Sequence, residues 1–238
     1  MRAISFVAAL LWASSAFAQS QLADIPYWKL MQGWWRADNT YMDGKLDYNI
    51  RAYNSLIQVE LKGRTYTETE YKFYPASKLA TGYGKGVLKE GEGIETITVI
   101  KGEMADNAGT VSLTEALPRG PASKEKNEIK VLSADTGVRV TPNEATKVDT
   151  YRMFIFAPTP DKRYRSNFGI VSDKTGAGAA NAAPDAKFGD LRGFSLFRED
   201  RIAPSEFEAW RTKYRAQNNV KAIVEIGPDG APVVRRLD

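Results

Sequence analysis

Through most of this chain the apolar positions recur at every second residue, in short runs broken by Gly, Pro, Asn and Asp. That period is the signature of half-buried strands. The pattern predicts strands at Trp34 to Met42, Lys45 to Leu61, Arg64 to Tyr74, Leu79 to Lys89, Ile94 to Ile100, Thr110 to Leu117, Glu128 to Leu132, Thr150 to Ala157, Arg163 to Ser172 and Leu191 to Arg198. Some ten strands in one run predict an all-β fold, an antiparallel up-and-down barrel of about 8–10 strands. An α+β cone of the nuclear-transport-factor-2 type is the alternative, but it needs helices ahead of its sheet and the pattern offers few. Pro118 to Asn127 and Lys174 to Lys187 are rich in Gly, Pro, Ala and charge and read as exposed loops, the second either a lid at the barrel rim or a surface loop with no role.

The period changes after Pro204. Ser205-Glu206-Phe207-Glu208 reads as a capping box, and Phe207, Trp210 and Tyr214 then fall on one face. A helix over about 205–217 packed outside the barrel follows. Lys213 and Arg215 favour its negative end, and Asn218-Asn219 stop it. A last strand, Ala222 to Ile226, precedes Gly227-Pro228-Asp229-Gly230, which turns the chain away.

The first eighteen residues have a different character. Arg2, the apolar run Ile4 to Trp12 and Ala16-Phe17-Ala18 spell a secretory signal peptide over 1–18, too short to anchor in a bilayer. The expectation is one exported domain over 19–238, periplasmic or secreted, with no membrane-spanning segment after cleavage. Cysteine and histidine are both absent. Thiolate nucleophiles, serine–histidine relays and ordinary zinc or copper sites are excluded with them. No Gly-rich phosphate loop is present, so neither metal nor other cofactor is expected. The net charge of +4 is spread over 33 basic and 29 acidic residues without a dense basic stripe, which argues against nucleic acid. Oligomeric state is not legible.

Hairpin signals sort the candidate chemistry. Asp43-Gly44 suits a two-residue turn, which pairs Met42 with Lys45, Asn39 with Tyr48 and Trp35 with Ala52. One face then collects Trp35, Ala37, Asn39, Tyr41, Leu46, Tyr48 and Ile50, plainly the inner one. The apolar parity switches at Ile57, Val59 and Leu61, which calls for a bulge or bend near Tyr53-Asn54-Ser55. Lys62-Gly63 as the next turn pairs Leu61 with Arg64, Val59 with Tyr66 and Ile57 with Glu68, sending Tyr66, Glu68 and then Glu70 inward. The opposite reading keeps Arg64, Glu68, Glu70 and Lys72 in solvent. A carboxylate inside an apolar, tyrosine-rich cup would have its pKa raised by desolvation and act as a general acid or base. Arg152 and Arg192 alternate with aromatics and are candidates to bind or steady negative charge.

The two ends of the barrel resemble a lipocalin. That family opens its first strand with Gly-x-Trp after a helical turn, as Gly33-Trp34-Trp35 follows Tyr27 to Met31 here. It closes with an arginine on the last barrel strand, a loop, a capped helix and one more strand, as do Arg198, Ile202 to Pro204, Ser205 to Asn219 and Val220 to Ile226. The resemblance implies structural roles for Trp35 at the barrel base and Arg198 packed across it. Asp149-Thr150-Tyr151 approximates the family's central segment.

Three functions follow. Tyr41 and Tyr48 gripping a phenol, Glu68 moving a proton, and Asn39, Tyr66, Arg152 and Arg192 binding the substrate make a cofactor-independent lyase or isomerase of aromatic compounds. A carrier holding a hydrophobic or aromatic molecule without turnover is the second. An envelope interaction module, using Tyr53, Tyr71 and Phe73 at the rim, is the third. Whether Glu68 and Tyr48 converge in one closed cavity separates the first two, and a Glu68 that points to solvent removes the base and favours the carrier.

Overall fold

The computed structural model describes residues 20–38, 53–76, 86–115, 128–143, 149–170, 191–226 and 232–237. Its strands run β1 (Gly33–Ala37), β2 (Asn54–Lys62), β3 (Thr65–Tyr74), β4 (Gly93–Met104), β5 (Val111–Glu115), β6 (Glu128–Val131), β7 (Thr136–Asn143), β8 (Asp149–Thr159), β9 (Lys162–Ile170) and β10 (Leu191–Ile202). Each pairs antiparallel with its sequence neighbour, and β1 pairs with β10, so these ten strands close into a barrel. The fold class expected from the alternation is the one observed.

Strand β4 does two jobs. Its C-terminal part, Lys101 to Met104, pairs with β5 and seals the barrel, while Gly93 to Ile97 pairs in parallel with β11 (Val220–Ile226). A final strand, β12 (Pro232–Arg236), returns antiparallel along β11 instead of leaving the sheet. Neither β7 nor β12 stands out in the sequence pattern. Of the expected strand Leu79 to Lys89, only 86–89 are described, and they form turns.

Two registers differ from expectation. Trp35 pairs with Ile57 and Ala37 with Ser55, where the Asp43-Gly44 hairpin required Ala52 and Ile50. The residues between, including that turn, lie outside the described ones. Strands β2 and β3 turn through Gly63-Arg64, so Val59 faces Glu68 and Ile57 faces Glu70. Gly63 sits at φ 60, the conformation that glycine adopts without strain. The true register is two residues from the expected one, an even slip that leaves every side chain on its face. The bend expected near Tyr53-Asn54-Ser55 falls at the edge of the described residues, and from Asn54 on β2 pairs regularly with β3. The two expected loops, 118–127 and 174–187, lie outside the described residues.

The outer face of β1 to β4 is also apolar, because helix α2 (Phe207–Gln217) covers it. Phe207 and Tyr214 pack with Leu56, Phe73, Ile202 and Val220, flanked by Trp34, Tyr71 and Trp210. Glu95 points outward from β4 and is fully buried beneath the helix, where Arg211 Nε (2.8 Å) and Arg215 Nε (2.6 Å) donate to its two oxygens. The cap lies two residues ahead of the expected box: a 3-10 turn over Pro204–Glu206 precedes α2, and Glu206 Oε2 accepts from Ala203 N–H at 2.7 Å. Pro204 at the first position of that turn explains the shift, since its fixed φ starts the turn early. Asn219, at φ 47, ends the helix as expected. Among the described residues no helix is long and apolar enough to cross a membrane.

Candidate functional site

One end of the barrel is plugged by the chain's own N-terminal segment. A 3-10 turn, Leu22–Asp24, and helix α1 (Pro26–Met31) lie against the β2–β3 and β4–β5 turns, with Leu22 N–H donating to Gly63 O at 2.9 Å and Trp28 Nε1 to Gly109 O at 2.8 Å. Tyr27 is fully buried over Gly137, where a Cβ would overlap its ring, and Trp28 meets Tyr66 at 5.1 Å between ring centroids. The plugged base of the barrel is apolar: Leu22, Trp28, Met31, Trp35, Ile57, Val59, Ile100, Val111 and Ile155 form one core.

Trp35 is buried in that base, its Nε1 donating to Met31 O at 2.9 Å. The guanidinium across it is not that of Arg198. Arg198 is 55 % exposed and pairs with Asp200 on the outer face. Arg201 lies over the indole at 4.2 Å and donates to Leu30 O, Gln32 O and Pro160 O, and Arg163 lies over it at 4.4 Å. Alternation decides this. Phe197 and Glu199 point inward, which sends Arg198 out, and β10 continues four residues beyond Arg198 to Ile202.

Above this base the lining becomes charged. Strand β3 sends Tyr66, Glu68, Glu70 and Lys72 inward in a row, about 7 Å apart. The inward orientation of Tyr66 and Glu68 is thus observed, with each only 2 % exposed. The walls opposite answer with Arg139 from β7, Arg163 and Arg165 from β9 and Glu199 from β10, all buried. Arg165 Nη1 donates to Glu70 Oε1 at 2.5 Å, and Lys72 Nζ lies 2.7 Å from Glu70 Oε2. Arg165 Nε also pairs with Glu199 Oε1, and Arg163 Nε donates to Glu199 Oε2 at 2.5 Å. Glu68 stands apart: it accepts from Tyr66 Oη at 2.8 Å, and its other oxygen is 3.9 Å from Arg139 Nη1.

The surroundings of these carboxylates are therefore cationic, not apolar, and the expected upward shift is reversed at Glu70. Burial raises its pKa, but Lys72 and Arg165 outweigh burial and hold the carboxyl well below its usual range. Burial works to lower Lys72, and the Glu70 charge overrides it and keeps the ammonium protonated. At Tyr66, burial and then the Glu68 charge push the hydroxyl well above the ordinary phenol range, so it stays a donor. Burial raises Tyr27 as well.

Depth separates these groups. Tyr66, Glu68 and Glu70 are sealed, whereas the Lys72 side chain is 20 % exposed, so among the described inner residues Lys72 is the charge nearest the end opposite the plug. Beside it Tyr53 stacks near Tyr74 (5.0 Å) and Phe197 (5.7 Å), and Lys72 Nζ lies 5.9 Å from the Tyr53 centroid. Of the candidates, Asn39, Tyr41 and Tyr48 lie outside the described residues. Arg152 and Arg192 belong to β8 and β10, and their side chains lie outside the description too. The sequence reading missed Arg139, Arg163, Arg165, Glu199, Tyr27 and the inward role of Lys72. Among the described residues no cluster of acidic side chains is arranged to hold a metal.

No protein-family model matches the chain, and no curated protein matches it. Among solved structures the chain is similar to an S-type phycobiliprotein lyase of Guillardia theta, at 14 % identity and a TM-score of 0.45, over 78 % of this chain and 94 % of that one.

Proposed function

We propose that this protein is a lipocalin-like barrel that binds a small aromatic molecule, entering at the end opposite the α1 plug and resting on the floor formed by Lys72, Glu70, Tyr53 and Phe197. The observation that carries the reading is the inward row on β3, in which burial is complete up to Glu70 and first relaxes at Lys72. A barrel that needed only a core would be filled more cheaply with apolar side chains, because each buried ion loses several kcal/mol of hydration. Charges kept inside a closed wall mark a site. The sequence adds an exported location, through the signal over residues 1–18.

The geometry favours a carrier over the lyase. A general base must come within hydrogen-bond reach of the proton it takes. Glu68 is buried beneath Glu70 and Lys72 in the inward row on β3. One observation supports turnover: the buried Glu68 Oε1 has no hydrogen-bond partner among the described residues, so a substrate that displaced Lys72 would find an acceptor there. Titrating the purified mature chain with phenolic and lipidic compounds, with product analysis, tests both. Stoichiometric binding without product is expected. Product that disappears in Glu68→Gln would establish the lyase instead, and binding of no compound would overturn the binding reading. Cell fractionation with N-terminal sequencing tests export, with a mature terminus at Gln19 expected.

A further inference from the structure

The inner charges form one alternating chain. Lys72 pairs with Glu70, Glu70 with Arg165, Arg165 with Glu199, and Glu199 with Arg163, while Glu68 and Arg139 make a separate balanced pair. An alternating chain of five that begins and ends on a cation carries one positive charge too many, so among the described inner residues four cations face three carboxylates.

The two ends of this chain are not alike. Arg163, at the plug, is almost wholly buried, lies 4.4 Å over the Trp35 ring, and donates to Met31 O at 3.4 Å. Its charge has a π face, a carbonyl and a carboxylate around it. Lys72, toward the end opposite the plug, has Glu70 as its carboxylate partner, already shared with Arg165, and a more distant ring at 5.9 Å. Among the described residues the surplus charge is thus least compensated at Lys72, next to the rings of Tyr53 and Phe197. An isolated charge inside a low-dielectric wall attracts its counter-ion far more strongly than one in water.

The geometry points to an anionic aromatic as the ligand, its negative group received by the Lys72 ammonium and its ring by Tyr53 and Phe197, an inference that rests on the binding reading above. Carboxylates and phenolates share the required chemistry, a compact anion on a flat apolar body. Neutral aromatics of the same shape lack the one feature the floor is built to receive.

Isothermal titration of the mature chain with 2-naphthoate and with 2-naphthamide, which differ in charge and hardly in shape, tests this. The carboxylate is expected to bind at least tenfold more tightly than the amide. Lys72→Gln, shown by thermal unfolding to be folded, is expected to erase that preference, and Lys72→Arg to keep most of it. Should Lys72→Gln fail to fold, the wild-type comparison decides. Equal or tighter binding of the amide, or an undiminished preference in Lys72→Gln, overturns the inference and leaves the binding reading standing. Binding of neither probe overturns both.

Discussion

Two buried carboxylates in this protein are each gripped by two arginines, one inside the barrel and one outside it. Inside, Glu199 is held by Arg163 and Arg165, whose side chains are 1 % and 5 % exposed. Outside, Glu95 is held under α2 by Arg211 and Arg215, which are 18 % and 28 % exposed. The outer arginines keep part of their hydration and reach down from a helix, a structural clamp that ties α2 to β4. The inner ones have left water altogether and come from the barrel wall. A clamp needs only local partners, whereas the inner network requires three strands in register at once.

The comparison is sharpened first by Glu199→Ala. Removing it strands Arg163 and Arg165 without their shared partner, and a loss of about 3–5 kcal/mol of stability is expected in urea unfolding. Equal stability of mutant and wild type would show that the inner network is not desolvated as described.

Acid acts on the same network. Glu70 has a folded pKa below its ordinary value of 4.5, so its contribution to stability is fully present above that pH and is lost as the pH falls toward the lowered folded value. The unfolding free energy of the wild type is expected to drop below pH 4.5 more steeply than that of Glu70→Gln. Parallel pH profiles would contradict the pairing.

Glu95→Ala is expected to cost about 1.5–3 kcal/mol, the range for hydrogen bonds to charged groups, because Arg211 and Arg215 turn to solvent once released. A cost as large as that of Glu199→Ala would erase the distinction between the two clusters. Smallest of all, Arg198→Ala on the outer face is expected to change stability by no more than about 0.5 kcal/mol. A larger loss would return Arg198 to the structural role that the lipocalin resemblance implied.

How much of this was legible depended on which residues carry the pattern. Strand alternation exposed the barrel and the buried Trp35 but left the inward face of β3 open between two readings, of which the structure shows the one that pairs Ile57 and Val59 with inward partners. The helix announced itself through Phe207, Trp210 and Tyr214. The arginine wall did not, since its polarity is inverted. In β7 the alternation of Val138 and Val140 around Arg139 reads as an outward arginine, yet Arg139 is buried. In β9 Arg163 and Arg165 read as a solvated stripe for the same reason. Their burial is made possible by Glu68, Glu70 and Glu199 on other strands, 36 residues away in sequence for Arg163 and Glu199 and 95 for Arg165 and Glu70, and a binary pattern records no such non-local cancellation. Arg201 was missed because β10 runs four residues past the expected end at Arg198.

The central claim is that a small molecule sits inside the barrel, on the floor at Lys72. Mapping backbone amide shifts by NMR during titration with 2-naphthoate tests it most directly. Perturbations clustered at Tyr53, Glu70, Lys72, Arg165 and Phe197 are the predicted result. Saturable binding whose perturbations fall instead on α2 and the outer face of β4 would contradict it.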